Sequence, residues 1–172
     1  LARMLNEWGE KPFGALYLLP LWHPIILAEQ IATLASLSRA PFILQCGLGD
    51  DRQGRAMGID MKHKVGRFVS CLEIMRALWQ GRSVEENRFW NIKAEQIAPL
   101  PSHEVEVWIG SVVEKAIKRT AKLGDGWLAS PGLTPDQANQ AIQEYRRYCD
   151  LFDRKPLCAI RRDVYVGSTS AE

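Results

Sequence analysis

The chain has 172 residues, of which 47% are hydrophobic and 24% are charged, and its formal net charge is +2. This length allows a domain with a substantial core, and the proportions are those of an ordinary globular protein. Basic residues are interspersed with acidic ones, so the charge pattern does not favour a nucleic-acid-binding surface. Because no apolar run reaches the roughly 20 residues of a membrane span and no basic-then-apolar leader is seen, we expect neither membrane insertion nor secretion.

The cysteine and histidine patterns indicate free thiols and no metal site. The four cysteines have no CxxC spacing, and the three histidines are scattered, so zinc ligation is not expected. Buried thiols outside a disulfide framework are typical of a reducing compartment. We therefore expect a cytoplasmic protein whose free thiols are Cys46, Cys71, Cys149 and Cys158.

The first part of the chain is typical of a strand–helix–strand unit. Two apolar runs flank a segment with helical spacing, and Pro24 stands at a helix start, where its missing N–H costs nothing. Two strands joined by a crossover helix pair in parallel. The predicted elements are a helix over Leu1–Trp8, strands over Phe13–Leu19 and Phe42–Cys46, and a helix from Pro24 to about Leu37.

The middle of the chain alternates loop and helix. A polar loop with two glycines, Asp50–Lys64, follows the carboxyl end of a strand, which is the active face of an α/β barrel. Apolar residues at i, i+3, i+4 and i+7 then predict a helix over Lys64–Gly81. An aromatic pair and two prolines make 82–103 irregular, and we expect a short β excursion there.

Further strand and helix signals follow to the end of the chain. Thr134, Pro135 and Gln137 form a capping box at a helix start. Five strands alternating with four helices predict a parallel α/β fold in a single domain over 1–172. The remaining predicted elements are strands Glu104–Gly110, Trp127–Ser130 and Leu157–Val166, helices Val113–Leu123 and Thr134–Asp153, and a helix start at Ser168–Glu172.

Three segments, in this order, resemble the luciferase-like, flavin-dependent monooxygenases of the bacterial luciferase superfamily. The first is LLPLWHPIILAEQIATLASLSRAPFILQCGLG, similar to the family's LPxxHPxxxAE segment followed by its RFxxGxGxG segment. The others are WIGSVVEKAIKRTAKLGDGWLAS and RRDVYVG. The resemblance covers the chain from about Leu1 to Gly167.

The resemblance implies an incomplete (β/α)8 TIM barrel. A complete barrel takes about 250 residues, so this chain is expected to be a truncated member that contains strands three to seven. Helices Leu1–Trp8 and Pro24–Leu37 match the family's dimer face, so the resemblance implies a homodimer. It also makes a flavin reductase a candidate partner, beside a small-molecule substrate.

The chemistry that the resemblance implies is oxidation of a small organic substrate with reduced flavin (FMN) and oxygen. A related branch of the family instead transfers hydride through a deazaflavin coenzyme. A third hypothesis is a flavin-binding or purely structural truncated barrel without turnover, and a fourth is an unrelated α/β barrel enzyme. The sequence does not identify the substrate, the electron donor or any catalytic residue.

The resemblance places the flavin ring between Ala15–Leu16 and the turn that contains Gly47, Gly49 and Asp50. In the family, the pair that matches Ala15–Leu16 forms a non-proline cis peptide with a bulge, against which the ring rests. Glycines let a ligand approach the backbone, and an acid can bind the ring's polar edge. The alternative is a tight turn capped by Asp50. The family usually has glycine where Gln45 stands, so Gln45 either crowds the ring or adds a polar contact.

The resemblance places the flavin phosphate at Gly110, Ser111 and Val112. Unpaired N–H groups at a helix start, together with the helix dipole, suit an anion. The family often has Ser or Thr where Val113 stands, which leaves Ser111 as the only hydroxyl. The alternative is that Ser111 caps the helix.

Two other sets of polar residues have alternative interpretations. His23 stands at a helix start, which favours capping over a role as a base. Arg161, Asp163 and Tyr165 would share one face of the last strand. They could reach a substrate, but a structural role is the favoured hypothesis.

Overall fold

In the computed structural model, residues 1–167 are described, and their contacts divide the chain into two compact units, 1–107 and 108 onward. Both units contain parallel strands with helices as the connections between them. The single domain over 1–172 stays a prediction.

The first unit begins with the predicted strand–helix–strand arrangement. Strands β1 and β2 pair in parallel without interruption, from Phe13 opposite Phe42 to Leu18 opposite Gly47. A 3-10 turn, Leu19–Leu21, ends β1 at its proline. The elements are α1 (Ala2–Trp8), β1 (Phe13–Leu18), α2 (Pro24–Leu37) and β2 (Phe42–Gly47).

The predicted loop over Asp50–Lys64 is wrong in part, because it contains a helix, α3 (Asp51–Ala56). Its sequence, DRQGRA, has no apolar stripe, so hydrophobic periodicity could not reveal it. The long helix α4 (Lys64–Trp79) is confirmed. The expected excursion is an antiparallel hairpin of β3 (Val84–Glu86) and β4 (Ile92–Ala94).

The core of the first unit lies where α2 packs against α4 and against the outer face of the β1–β2 pair. Its members are large apolar side chains with almost no exposed area, each worth roughly 1.5–3 kcal/mol when removed from water. They include Leu27, Ile31, Phe42, Leu44, Phe68, Leu72 and Met75.

The second unit repeats the strand–helix alternation. Its strands pair in parallel, Trp108 opposite Gly126 and Trp127 opposite Cys158. Trp127 is fully buried, and its ring centroid lies 5.7 Å from that of Tyr145. The elements are β5 (Val105–Gly110), whose residues from Trp108 onward belong to this unit, α5 (Glu114–Leu123), β6 (Gly126–Ala129), α6 (Pro135–Leu151) and β7 (Cys158–Ile160).

The last predicted strand, Leu157–Val166, is wrong beyond Ile160. Strand β6 ends at Ala129, so the parallel ladder that holds β7 ends opposite it. Arg161, Asp163 and Tyr165 are exposed outside any strand, and the shared polar face does not form. The predicted helix start at Ser168–Glu172 lies outside the described residues. No helix within residues 1–167 combines the length and apolarity needed to cross a membrane.

Candidate functional site

The β1–β2 pair has one covered face and one uncovered face. Side chains alternate along β2: Phe42, Leu44 and Cys46 are fully buried, while those between them are only half-buried. The strand register places this second set beside alternate residues of β1. We call the resulting surface the open face; it consists of Gly14, Leu16, Leu18, Ile43, Gln45 and Gly47.

Of the predicted pair Ala15–Leu16, Leu16 alone belongs to the open face, where it is 50% exposed. Ala15 pairs with Leu44 on the covered face. The expected cis peptide and bulge are wrong: the one cis peptide bond in residues 1–167 joins Ala98 to Pro99. Because every β1 residue faces exactly one β2 residue, the ladder has no place for a bulge.

The turn after β2 is built by a reciprocal cap. Asp50 Oδ1 accepts from the Gln53 backbone N–H at 2.8 Å, and Gln53 Oε1 accepts from the Asp50 N–H at 2.9 Å. Gly49 has a φ of 70°, which favours glycine there. The alternative interpretation of Asp50 as a helix cap is therefore confirmed, and one of its carboxylate oxygens is occupied by the protein itself.

In the segment Gly110–Val112 of the second unit, the polar groups of Ser111 already have partners within the protein. Ser111 is 8% exposed, and its hydroxyl lies 3.0 Å from that of the fully buried Thr120. Its carbonyl accepts from Trp127 Nε1 at 2.9 Å. Val113, not Ser111, occupies the N-cap position of α5, so the capping hypothesis for Ser111 is wrong. The Ser111 hydroxyl points into the unit rather than toward a ligand.

The first turn of α5 carries the Glu114 carboxylate, whose negative charge would repel a bound phosphate. Glu114 is the first residue of the helix, and it accepts from the Tyr148 hydroxyl at 2.6 Å. Arg147 lies 3.7 Å from the same carboxylate oxygen. The hydrogen bond to Glu114 raises the pKa of Tyr148 from its ordinary value. The donors left for a phosphate here are the backbone N–H groups of the loop and first turn.

His23 occupies the N-cap position of α2, but its side chain makes no capping hydrogen bond, so that prediction is wrong. Its ring instead lies edge-on to Trp90, with centroids 6.2 Å apart. Trp90 belongs to the tip of the β3–β4 hairpin, and its buried Nε1 has no hydrogen-bond partner among residues 1–167.

Sequence reasoning missed the clamp that holds this hairpin tip. Arg67 of α4 stacks on Trp90 at 3.9 Å and donates to the carbonyls of Pro20 and Phe89, each at 3.2 Å. Burial lowers the pKa of Arg67, against the opposing effect of Cys71 and Glu86. The Glu86 carboxylate accepts from three backbone N–H groups of the tip. The signal in the sequence was Gly66 inside a helix, because a Cβ there would lie 2.5 Å from the Phe89 ring.

The open face fits a flat, mainly apolar ring with one polar edge. Leu16 and Leu18 supply apolar contact, Gly47 leaves room at the end of β2, and the Gln45 carboxamide has no partner within the described part of the chain. A flavin or deazaflavin ring has this chemistry. The Gly110–Val112 segment fits a phosphate only through its backbone N–H groups.

The comparisons with known proteins agree on a family. The family model described as luciferase-like monooxygenase matches residues 13–172. A phthiodiolone/phenolphthiodiolone dimycocerosates ketoreductase of Mycobacterium kansasii is 24% identical, over 80% of this chain and 39% of that protein. An F420-dependent glucose-6-phosphate dehydrogenase of Beutenbergia cavernae is also 24% identical, over 76% of this chain and 43% of that protein.

Solved structures show the same fold. The oxygenating constituent of 3,6-diketocamphane monooxygenase of Pseudomonas putida, in complex with FMN, has a TM-score of 0.76 at 19% identity, over 92% of this chain and 50% of that one. An F420-dependent secondary alcohol dehydrogenase in complex with an F420–acetone adduct has a TM-score of 0.69 at 17% identity, over 81% and 44%. The predicted fold class, an incomplete (β/α)8 barrel, is confirmed, and the chain spans half or less of these proteins.

Proposed function

Because this chain belongs to the luciferase-like monooxygenase family, we propose that it is part of a flavin-dependent oxidoreductase whose ring cofactor lies on the open face. The observation that carries the proposal is the half-exposed Leu16 beside the unpartnered carboxamide of Gln45. An apolar platform with a single polar group suits a ring that the protein positions while the cofactor supplies the redox chemistry. The structure has no bulge at Ala15–Leu16, as an unrelated α/β barrel enzyme also would not, but the family match favours the family over that hypothesis.

FMN with oxygen and a small organic substrate is the leading form of this proposal, and a monooxygenase reaction is its expected chemistry. A deazaflavin coenzyme used for hydride transfer is the second form, favoured by relatives whose names state dependence on F420. The proposed ring contacts are Leu16, Gly47 and Gly49, with Ala15 and Asp50 as flanking residues. For the second unit, taken by itself, the proposed contacts of a phosphate group are the backbone N–H groups of Gly110, Ser111 and Val112.

The proposal is tested by titrating the purified chain with FMN and with the deazaflavin coenzyme, following cofactor fluorescence. Leu16→Asp is expected to weaken binding at least about tenfold, because it places a charge under an apolar ring. Leu100→Asp is a matched control, since Leu100 is 49% exposed and lies off the open face. Equal binding by the two variants, or binding of neither cofactor by the folded wild-type chain, would reject the proposed site.

We also propose that the protein forms a homodimer through α1 and α2, as the family resemblance implies. A groove of about 580 Å³ lies along these helices, lined by Leu1, Ile26 and Leu37, each more than half exposed. Ile26→Asp should shift the elution volume toward that of a monomer, whereas Gln143→Asp, at an exposed position of α6, should not. A monomeric wild-type chain would contradict this. A flavin reductase as partner and a cytoplasmic location stay predictions.

A further inference from the structure

Gln45 is the one residue of the open face whose side chain can form hydrogen bonds. Its five companions on that face are two glycines and three aliphatic residues. In the strand register Gln45 stands opposite Leu16, and it is half-buried on a strand whose alternate residues are fully buried. A carboxamide is therefore presented on an otherwise apolar surface.

The carboxamide lies beside Gly14 of β1. The Gln45 Nε2 atom lies 3.5 Å from the point where a Cβ on Gly14 would stand, which is an ordinary van der Waals contact distance. The amide therefore lies next to the β1 backbone. Within residues 1–167 no protein group forms a hydrogen bond with the amide oxygen or nitrogen of Gln45. Its donor and acceptor are both available to a ligand.

We propose that Gln45 determines which ring systems the open face accepts, by a two-point hydrogen bond to an imide edge. An imide presents an N–H beside a carbonyl, and a carboxamide matches it with its own carbonyl oxygen and N–H. Flavin and deazaflavin rings share this edge. The inference rests on the proposed function, and it assigns recognition of the cofactor's polar edge to the Gln45 side chain in place of the Asp50 carboxylate.

The inference is tested with riboflavin, which carries the ring without a phosphate. Gln45→Met keeps the length of the side chain and removes both hydrogen-bonding groups, so we expect riboflavin to bind about tenfold more weakly. The visible absorption band of the bound ring should also shift. Gln143→Met, the same change at an exposed position of α6 that is not part of the open face, is the matched control and should bind riboflavin within about twofold of wild type. Thermal unfolding of each variant checks that the fold is retained.

The outcomes distinguish failure of the inference about Gln45 from failure of the proposed function. If wild type and Gln45→Met bind riboflavin equally and give the same spectrum, Gln45 only fills space above Gly14, and this inference is overturned while the proposed function stands. If the folded wild-type chain binds neither riboflavin nor FMN, the proposed function fails and the inference fails with it. Weaker binding by Gln45→Met alone, with a shifted band, supports the two-point contact.

Discussion

The two segments proposed to contact the cofactor differ in how far the fold has already used their polar groups. On the open face of the first unit, the Gln45 carboxamide is unpartnered and Leu16 is half exposed. Before α5 in the second unit, the Ser111 hydroxyl contacts Thr120 and its carbonyl accepts from Trp127. The family resemblance implied both segments as binding sites, with the glycines after β2 as added support for the first and the N–H groups at a helix start as added support for the second.

This difference shows that a polar side chain in a sequence motif can bind a ligand only if the fold leaves its hydrogen-bonding groups without a protein partner. A buried hydroxyl that already has a partner stabilises the protein, whereas an unpaired polar group near the surface can serve a ligand. We therefore expect mutations before α5 to change stability, and mutations on the open face to change cofactor affinity. The following predictions test this division.

Trp127→Ala is expected to have the largest effect, a loss of about 3–5 kcal/mol in the free energy of unfolding. The variant removes a fully buried ring that packs against Tyr145 and also frees the Ser111 carbonyl. The loss in the free energy of unfolding is measured by urea denaturation monitored with circular dichroism. Trp127→Phe keeps one aromatic ring and loses the five-membered ring that carries the N–H donor, so it should cost less than Trp127→Ala. A loss under about 1 kcal/mol for Trp127→Ala would show that Trp127 does not anchor this segment.

Ser111→Ala should lower the free energy of unfolding by about 1–3 kcal/mol, because the Thr120 hydroxyl is fully buried and loses its partner. The dissociation constant for FMN should stay within about twofold of wild type. Combining it with Thr120→Val removes both partners and should recover much of the stability. A large loss of FMN affinity in a variant of unchanged stability would reverse the assignment of Ser111.

Gly47→Ala should behave in the opposite way, weakening cofactor binding about tenfold with little change in stability. A Cβ at Gly47 would lie 2.9 Å from the Leu18 Cδ2 atom and 4.0 Å from the Leu16 Cδ1 atom, and both are ends of flexible side chains that can move aside. The added methyl group would instead occupy the open face. Parallel titration and thermal unfolding measure the two effects, and a destabilised variant with wild-type affinity would argue against a ligand at this position.

Asp50 should show the smallest effect. Asp50→Ala removes the cap of α3 and should cost about 1 kcal/mol of stability, while cofactor affinity is little changed. Asp50→Asn keeps a capping oxygen and should be close to wild type in both measurements. If Asp50→Asn weakened cofactor binding without loss of stability, Asp50 would be a ligand contact as well as a cap.

Local signals in the sequence predicted most of the fold. The apolar runs of β1 and β2, the periodicity of α4 and the capping box at Thr134 all gave elements close to those observed. Helix α3 was missed because it is short and polar, and β7 was overextended because strand length depends on a partner strand that sequence alone does not reveal. The partners of Ser111 and the Arg67 clamp join residues far apart in the chain, which no local pattern encodes.

The most direct test of the division between the two segments compares the dissociation constants of FMN and riboflavin for the wild-type chain. These ligands share the ring and differ in the phosphate. The Gln45 carboxamide of the open face has no protein partner within residues 1–167, whereas the Ser111 hydroxyl is paired with Thr120 and the Glu114 carboxylate would repel a phosphate. We therefore predict that the two dissociation constants lie within about tenfold of each other. Riboflavin binding more than about a hundredfold weaker than FMN would show that the phosphate segment carries the affinity, and would contradict the account.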